Sequence, residues 1–304
     1  MGVRWSVRRG MLCKCGATML VALCIGILDA RAHPDSSAAI RRLTDTIAAE
    51  PERASLYVER ARQWRFEGRL ARSRSDLARA RRLAPDLAAT ALEAAQVELA
   101  AGRRAPARSH LRHAIALAPR WWRPRRVRAE LARDDGGLDD LVEDDLHVLL
   151  SEHGSPDDFA LASELFAGRD QLMVAARVLG EGGLRTGASA LLTMAADVYM
   201  RAGAYGEALE SLSIAEGRGA DPIAVGLRSL EAALEMGAWT WGLEEADTRE
   251  RQLLALLQKK STPSRRASLS ALRQLKRELR AFAALSPRDQ MTRTCAPWDG
   301  GITH

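Results

Sequence analysis

The residues with the most obvious chemical potential are two histidines and two pairs of acids. His110 and His113 are three residues apart and could share one face of a helix, but no third metal ligand lies near them in the sequence. A protein metal site needs three or four donors, so we interpret both as solvated surface histidines. The acids at 139–140 and 144–145 are adjacent, which is typical of a solvated helix face rather than of paired catalytic carboxylates.

Motifs for phosphate binding and nucleophilic catalysis are also missing. The stretch 180–187 is rich in glycine but lacks the Lys-Ser or Lys-Thr ending of a phosphate-binding loop. We expect its glycines to lie in a turn. No Gly-x-Ser-x-Gly sequence is present. The sequence therefore predicts a non-enzymatic protein with no catalytic residue, no cofactor and no metal site.

The composition indicates which elements position these side chains. Of the 304 residues, 47% are hydrophobic but only 5% are aromatic. Alanine and leucine must therefore fill most of the core. That suits thin layers of helices better than a sheet, where β-branched and aromatic residues are enriched.

A 34-residue period organises the middle of the chain. Pro51, Pro85 and Pro119 are each 34 residues apart, and each closes a block made of an Ala-rich run, a glycine and a second run rich in Ala and Leu. Apolar residues three and four apart form one helical stripe. Glycine ends the first helix of each block because it tolerates the left-handed cap, and proline ends the second. Each block is thus a predicted helix–turn–helix.

This pattern resembles the tetratricopeptide repeats, a family of 34-residue helix–turn–helix units. The resemblance implies an all-α fold, a right-handed α–α superhelix of about six repeats followed by a C-terminal capping helix. The six blocks begin at residues 54, 88, 122, 156, 189 and 223, after a half-repeat at 36–50. The third block has Arg125 and Arg128 where apolar residues belong, which leaves the register between 122 and 188 open.

The N-terminal segment, residues 1–32, has the form of a secretory signal peptide. A basic start precedes the apolar run 15–28, and Ala30 and Ala32 are the small residues that a signal peptidase reads. We expect cleavage after Ala32 and a periplasmic or secreted mature protein. The alternative is a retained N-terminal anchor.

The predicted solenoid, residues 33–256, is followed by a different segment, residues 257–304. An apolar stripe over 264–285 predicts a helix that covers the last apolar face of the solenoid. The alternative is a basic amphipathic helix that lies on an anionic membrane. The residues after this helix predict a disordered tail.

Charge is distributed unevenly along the repeats. Residues 51–133 contain 20 Arg against 8 acids, a net charge of +12, whereas residues 134–253 contain 24 acids against 8 Arg, a net charge of −16. Such asymmetry is a signal of an interaction surface. Solvation of polar helix faces explains it equally well.

The resemblance also implies where a ligand binds. In the family, positions 2, 5, 9 and 12 of the first helix of each repeat line a concave groove. In the first three repeats these positions supply the binding candidates Arg62, Arg65, Gln96, Leu99, Arg123, Arg126 and Arg133. Val58 and Arg62 stand where chaperone-binding members carry Lys and Asn, so that specific function is not supported. We expect Arg62 and Arg65 to contact a partner, and their removal to leave the fold intact.

These observations predict an exported interaction module that binds a protein or peptide, as an adaptor or assembly factor in the cell envelope. One alternative is a binder of an anionic polymer or lipid headgroup through the Arg-rich half. Another is an accessory subunit of an envelope enzyme. Nucleic acid is not an expected partner, and a membrane surface is less favoured than a protein.

Overall fold

The computed structural model describes residues 34–135, 140–259 and 261–285, and their secondary structure consists of fourteen α-helices. The predicted signal peptide and the predicted tail beyond residue 285 lie outside these ranges. None of the helices described has both the length and the hydropathy that a membrane span requires. In chain order the helices are α1 Pro34–Ala49, α2 Ala54–Phe66, α3 Leu70–Leu83, α4 Ala88–Ala100, α5 Arg104–Leu117, α6 Trp122–Asp135, α7 Asp140–Glu152, α8 Pro156–Ala167, α9 Leu172–Thr186, α10 Ser189–Arg201, α11 Tyr205–Gly217, α12 Pro222–Glu235, α13 Trp239–Lys259 and α14 Pro263–Ala283.

The helices α2–α13 form the six predicted pairs, and α1 supplies the predicted half-repeat before them. In four of the six pairs the first helix ends at a glycine in the left-handed region, with φ between 71° and 73° (Gly68, Gly102, Gly203 and Gly237). The chain divides into two compact units, Met1–Pro119 and Arg120–His304.

The first unit contains α1–α5 and has a core of leucine and alanine. Ala61 of α2 and Ala80 of α3 are fully buried in the same hydrophobic cluster. Ala95 of α4 and Ala114 of α5 are likewise fully buried at the equivalent positions of the next repeat. Small side chains at these positions allow the two helices of a pair to approach closely, which is the role that the spacing predicts.

The second unit contains α6–α14, and one of these helices, α9, contains glycines that allow close packing. The expectation that the glycines of 180–187 lie in a turn is wrong for three of the four, because α9 continues through them to Thr186. A Cβ at Gly182 would lie 2.4 Å from Cγ of Phe159, which is fully buried. Glycine at 182 is therefore a packing residue, and only Gly187, with φ 76°, ends the helix.

The third repeat has a charged core. Arg125 Nη1 of α6 lies 2.5 Å from Oδ1 of the fully buried Asp145 of α7, and Nε of Arg128 pairs with the other carboxylate oxygen. The position of Asp145 is filled in other repeats by buried leucines (Leu77, Leu111 and Leu212). An Arg–Asp–Arg triad thus replaces three apolar core positions, which explains the two arginines that left the register open.

The last helix, α14, is the predicted cap. Its Leu272 and Leu279 are fully buried in a cluster with Leu230 of α12 and Ala246 of α13. The rings of Trp239 and Phe282 stack with their centroids 5.1 Å apart. The apolar stripe of the helix therefore packs on the final repeat.

Candidate binding site

The structure brings two of the binding candidates together on one buried acid and joins a third to them. In the first unit, Arg65 Nε lies 2.6 Å and Arg62 Nε 3.5 Å from the carboxylate of Glu93, which is 1% exposed. Arg65 also donates a hydrogen bond of 2.9 Å from Nη2 to Gln96 Oε1. These contacts join α2 to α4 and give both arginines an intramolecular partner.

The remaining candidates are dispersed. Leu99 is half-buried on α4. In the second unit, Arg126 pairs with Glu130 and with the fully buried Asp158, and Arg133 lies 3.3 Å from Glu164. The guanidinium of Arg123 lies over the ring of Trp122. The arginines that could attract an anionic polymer are thus largely engaged with the protein's own acids and aromatic rings.

A Ser, His and Asp grouping at the start of α8 is a helix cap. Ser155 Oγ donates to Asp158 Oδ2 at 2.7 Å, the backbone N–H of Ser155 donates to the same oxygen at 2.9 Å, and His153 Nδ1 lies 2.5 Å from it. A nucleophilic serine must hydrogen-bond to its general base, whereas this hydroxyl is bonded to the carboxylate. The grouping forms a capping box.

The histidines singled out in the sequence lie on α5. His110 is half-buried, and this burial lowers its pKa, with the nearby Arg81 adding to the effect. His113 is exposed. In the part of the chain that the structure describes, no three His, Cys, Asp or Glu side chains cluster closely enough to hold a metal ion.

The second unit contains an open groove of 1610 Å³. It is lined by the turn between α8 and α9, the turn between α10 and α11, and residues of α7 and α12. Large apolar side chains contribute to its lining, among them Phe166, Met173, Met200 and Tyr205. Met173 is 41% exposed, so a ligand in the groove would cover apolar surface that now faces water.

Acidic side chains dominate the polar part of this groove. Arg201 is the single arginine in the lining, whereas five residues contribute carboxylates: Glu143, Asp170, Asp197, Glu231 and Glu235. Asp197 is held by Arg228, with Nε–Oδ1 and Nη2–Oδ2 distances of 2.6 and 3.3 Å. Desolvation raises the pKa of Glu231; Arg228 opposes this rise and Asp197 adds to it.

Asp170 has an unusual backbone for its residue type. It is the one non-glycine residue with positive φ, 61°, among the described residues. Its N–H donates to Ala167 O and the next N–H donates to Phe166 O, both at 3.0 Å. Gly203 and Ala204 make the equivalent bonds in the next repeat. An aspartate therefore occupies a turn position that favours glycine.

No family model matches the sequence, and no curated protein matches it. The C-terminal part of a TPR repeat-containing protein from Cytophaga hutchinsonii superimposes with a TM-score of 0.57 at 12% identity, over 81% of this chain and 98% of that one. The chain has a tetratricopeptide-repeat fold. YrrB, a TPR protein with an unusual peptide-binding site, gives a TM-score of 0.45 at 15% identity, over 58% of this chain and 92% of that one. A chain of the APC/C hetero-tetramer Cut9–Hcn1 gives a TM-score of 0.44 at 12% identity over 82% of this chain. The match covers 48% of that chain, so this chain spans about half of its length.

The tetratricopeptide-repeat register accounts for part of the groove. Position 9 of the fifth and sixth repeats is Asp197 and Glu231, and position 12 of the fifth is Met200. The positional rule that selects Arg62 and Arg65 in the first repeat would thus have found these three residues in later repeats. Asp170 and Met173 lie in or just after a turn, outside the rule, and no signal in the sequence marks them.

Proposed function

We propose that the chain is a non-catalytic interaction module that binds a segment of another protein in the groove of its second unit. The observation that carries this proposal is the groove itself, 1610 Å³ with large apolar side chains in its lining. Sites for small molecules usually measure about 300–1,000 Å³. A larger, open groove suits an extended stretch of polypeptide better.

The packing of the helices that carry the lining supports binding of this kind. Two of these helices, α10 and α11, bury Ala195, Ala196 and Leu212 completely in one hydrophobic cluster. A preformed site lowers the entropy lost on binding. The polypeptide therefore meets a surface that is already shaped.

A photo-crosslinking amino acid tests the site. We expect residue 173 to crosslink to one linear segment of a partner in extract, and a synthetic peptide of that segment to compete. Leu184 is the matched control, because it lies on the same helix and is 50% exposed, but it does not line the groove. Equal crosslinking at both positions, or no competition by the peptide, would contradict the proposal.

We also propose that the protein acts as an adaptor or assembly factor after export to the cell envelope. The basic start, the apolar run 15–28 and the small residues Ala30 and Ala32 support export. N-terminal sequencing of the protein from an envelope fraction should give His33 as the first residue. A protein that begins at Met1 would show that the segment is retained.

A further inference from the structure

We infer that the groove of the second unit selects a cationic ligand, an apolar polypeptide segment that carries Arg or Lys side chains. This inference rests on the proposed function and names the chemistry of its partner. Apolar contacts give a segment affinity, whereas charge complementarity decides which segments enter.

The carboxylates of the groove come from separate elements. Glu143 lies on α7, Asp170 in the turn before α9, and Asp197 on α10. Glu231 and Glu235 lie four residues apart on α12, so they share one face of that helix. Like charges held this close repel one another, and a positively charged side chain between them would relieve that repulsion.

The protein's own cations leave most of these acids unpaired. Arg228 is engaged bidentately with Asp197. Within the residues that the structure describes, no ion pair joins Glu143, Asp170, Glu231 or Glu235 to a basic side chain. In this described part of the chain, four of the five groove carboxylates therefore face water without an ionic partner (Glu143, Asp170, Glu231 and Glu235).

The groove favours a cation carried by a polypeptide over a free metal ion. A metal ion requires several donors converging on one point, and no such cluster exists among the described side chains. A guanidinium can bind one carboxylate bidentately while neighbouring apolar residues cover Phe166, Met173 and Met200. The combination of dispersed acids and apolar surface matches this kind of segment.

Asp170 is consistent with this selection. Its turn would be less strained with glycine, which four of the other repeats have at this position. The residue instead places a carboxylate at the edge of the groove, where a ligand cation would contact it. The negative charge of Asp170 thus favours binding of a cation, whereas its backbone conformation destabilises the turn.

The test is selection from a random dodecapeptide display library on the full-length protein, with Ala202→Trp as the counter-selection. Ala202 lines the groove, and a tryptophan there would obstruct the part of it beside Met200 and Gly203. We expect the retained peptides to be enriched in Arg and Lys beside apolar residues. A selected peptide should bind at least tenfold more weakly when its arginines are replaced by citrulline, which has nearly the same shape but no charge.

Variants of the protein complete the test. Glu231→Gln with Glu235→Gln should weaken binding of the selected peptide about tenfold, and Asp170→Asn should weaken it severalfold. Glu244→Gln, which removes an exposed carboxylate of α13 outside the groove, should leave affinity within about twofold. Circular dichroism melting checks that each variant is folded.

Two results would overturn the inference, and they differ in their meaning. In the first result, the peptides compete for the groove but are not enriched in basic residues, or they bind the double variant as well as the wild type. The proposed function would then stand, and the inference of a cationic partner would be wrong. If no selected peptide distinguishes the wild type from Ala202→Trp, the groove is not a binding site, and the inference fails with it.

Discussion

Asp170 and Gly203 occupy the same turn position in consecutive repeats, with φ angles of 61° and 73°. Each donates its N–H, at 3.0 Å, to the carbonyl three residues before it. The two turns therefore have the same geometry, and only one of them is built from the residue that accepts this geometry without strain.

Replacing the strained residue tests this account. A non-glycine residue in the left-handed region costs about 1–3 kcal/mol of stability. A glycine variant avoids this strain but loses about 0.5–1 kcal/mol, because glycine has more conformational entropy in the unfolded chain. Asp170→Gly should therefore raise the free energy of unfolding, by up to roughly 2.5 kcal/mol. Gly203→Ala should lower it by about 1–2 kcal/mol, although a Cβ there meets no atom within 4 Å. Urea denaturation of both variants measures the difference, and a destabilised Asp170→Gly would contradict it.

The network around Glu93 changes the expected effect of removing the two arginines. The sequence predicts that Arg62→Ala with Arg65→Ala leaves the fold intact. Because both arginines contact a carboxylate that is 1% exposed, the double variant should lose about 3–5 kcal/mol of stability. Adding Glu93→Leu should restore most of this loss, since no buried charge then lacks a partner. A double variant that melts at the wild-type temperature would show that Glu93 is hydrated without its partners.

The charged core of the third repeat gives two opposite expectations. Asp145→Leu alone leaves Arg125 and Arg128 without their buried acid and should cost about 3–5 kcal/mol. The triple variant Arg125→Leu, Arg128→Ala, Asp145→Leu removes all three charges and should be as stable as the wild type or up to about 4 kcal/mol more stable. Thermal melting distinguishes them. A triple variant less stable than Asp145→Leu would mean that the triad is needed for the packing of this repeat.

Two glycines of α9 should respond in opposite directions. A Cβ at Gly180 meets no atom within 4 Å, so Gly180→Ala should stabilise the protein by about 0.5–1 kcal/mol through helix propensity. Gly182→Ala should destabilise it by about 1–3 kcal/mol, because its Cβ would clash with Phe159. Denaturant titration of the pair measures both. Equal effects would show that Phe159 moves freely.

The capping helix should depend on pH through Glu250. Lys276 Nζ and Arg273 Nε each donate to its carboxylate at 2.7 Å, and these bonds hold its pKa below the ordinary 4.5. Since the folded pKa is the lower one, the stabilisation is complete above the ordinary pKa and disappears as the pH falls through the lowered value. Glu250→Gln should therefore be less stable than the wild type at about pH 7, and this difference should shrink towards about pH 3.

The matched control for this pH dependence is Glu244→Gln, an exposed carboxylate on the same helix. It should follow the wild type at every pH. A stability difference between Glu250→Gln and wild type that stays constant with pH would show that the glutamate acts through its shape and not its charge.

The sequence by itself determined the helices and their pairing. Apolar residues three and four apart, the turn glycines and the closing prolines act within one or two turns of helix, so they can be read locally. They predict the pairs from α2 to α13, the half-repeat α1 and the capping α14. Two local rules mislead. Glycines do not all mark a turn, since Gly182 lies inside α9 to make room for Phe159. Adjacent acids do not all face water, since Asp145 is fully buried.

Only the tertiary structure decided which charges pair and which face a groove. Arg65 and Glu93 are 28 residues apart, and Arg125 and Asp145 are 20 apart. Their partnerships depend on how one helix is placed on another, which residue type and helical period do not specify. The same holds for Glu231 and Asp170, which become neighbours of one groove only after three repeats have packed. Local preferences fix the helices, whereas long-range packing fixes their chemistry.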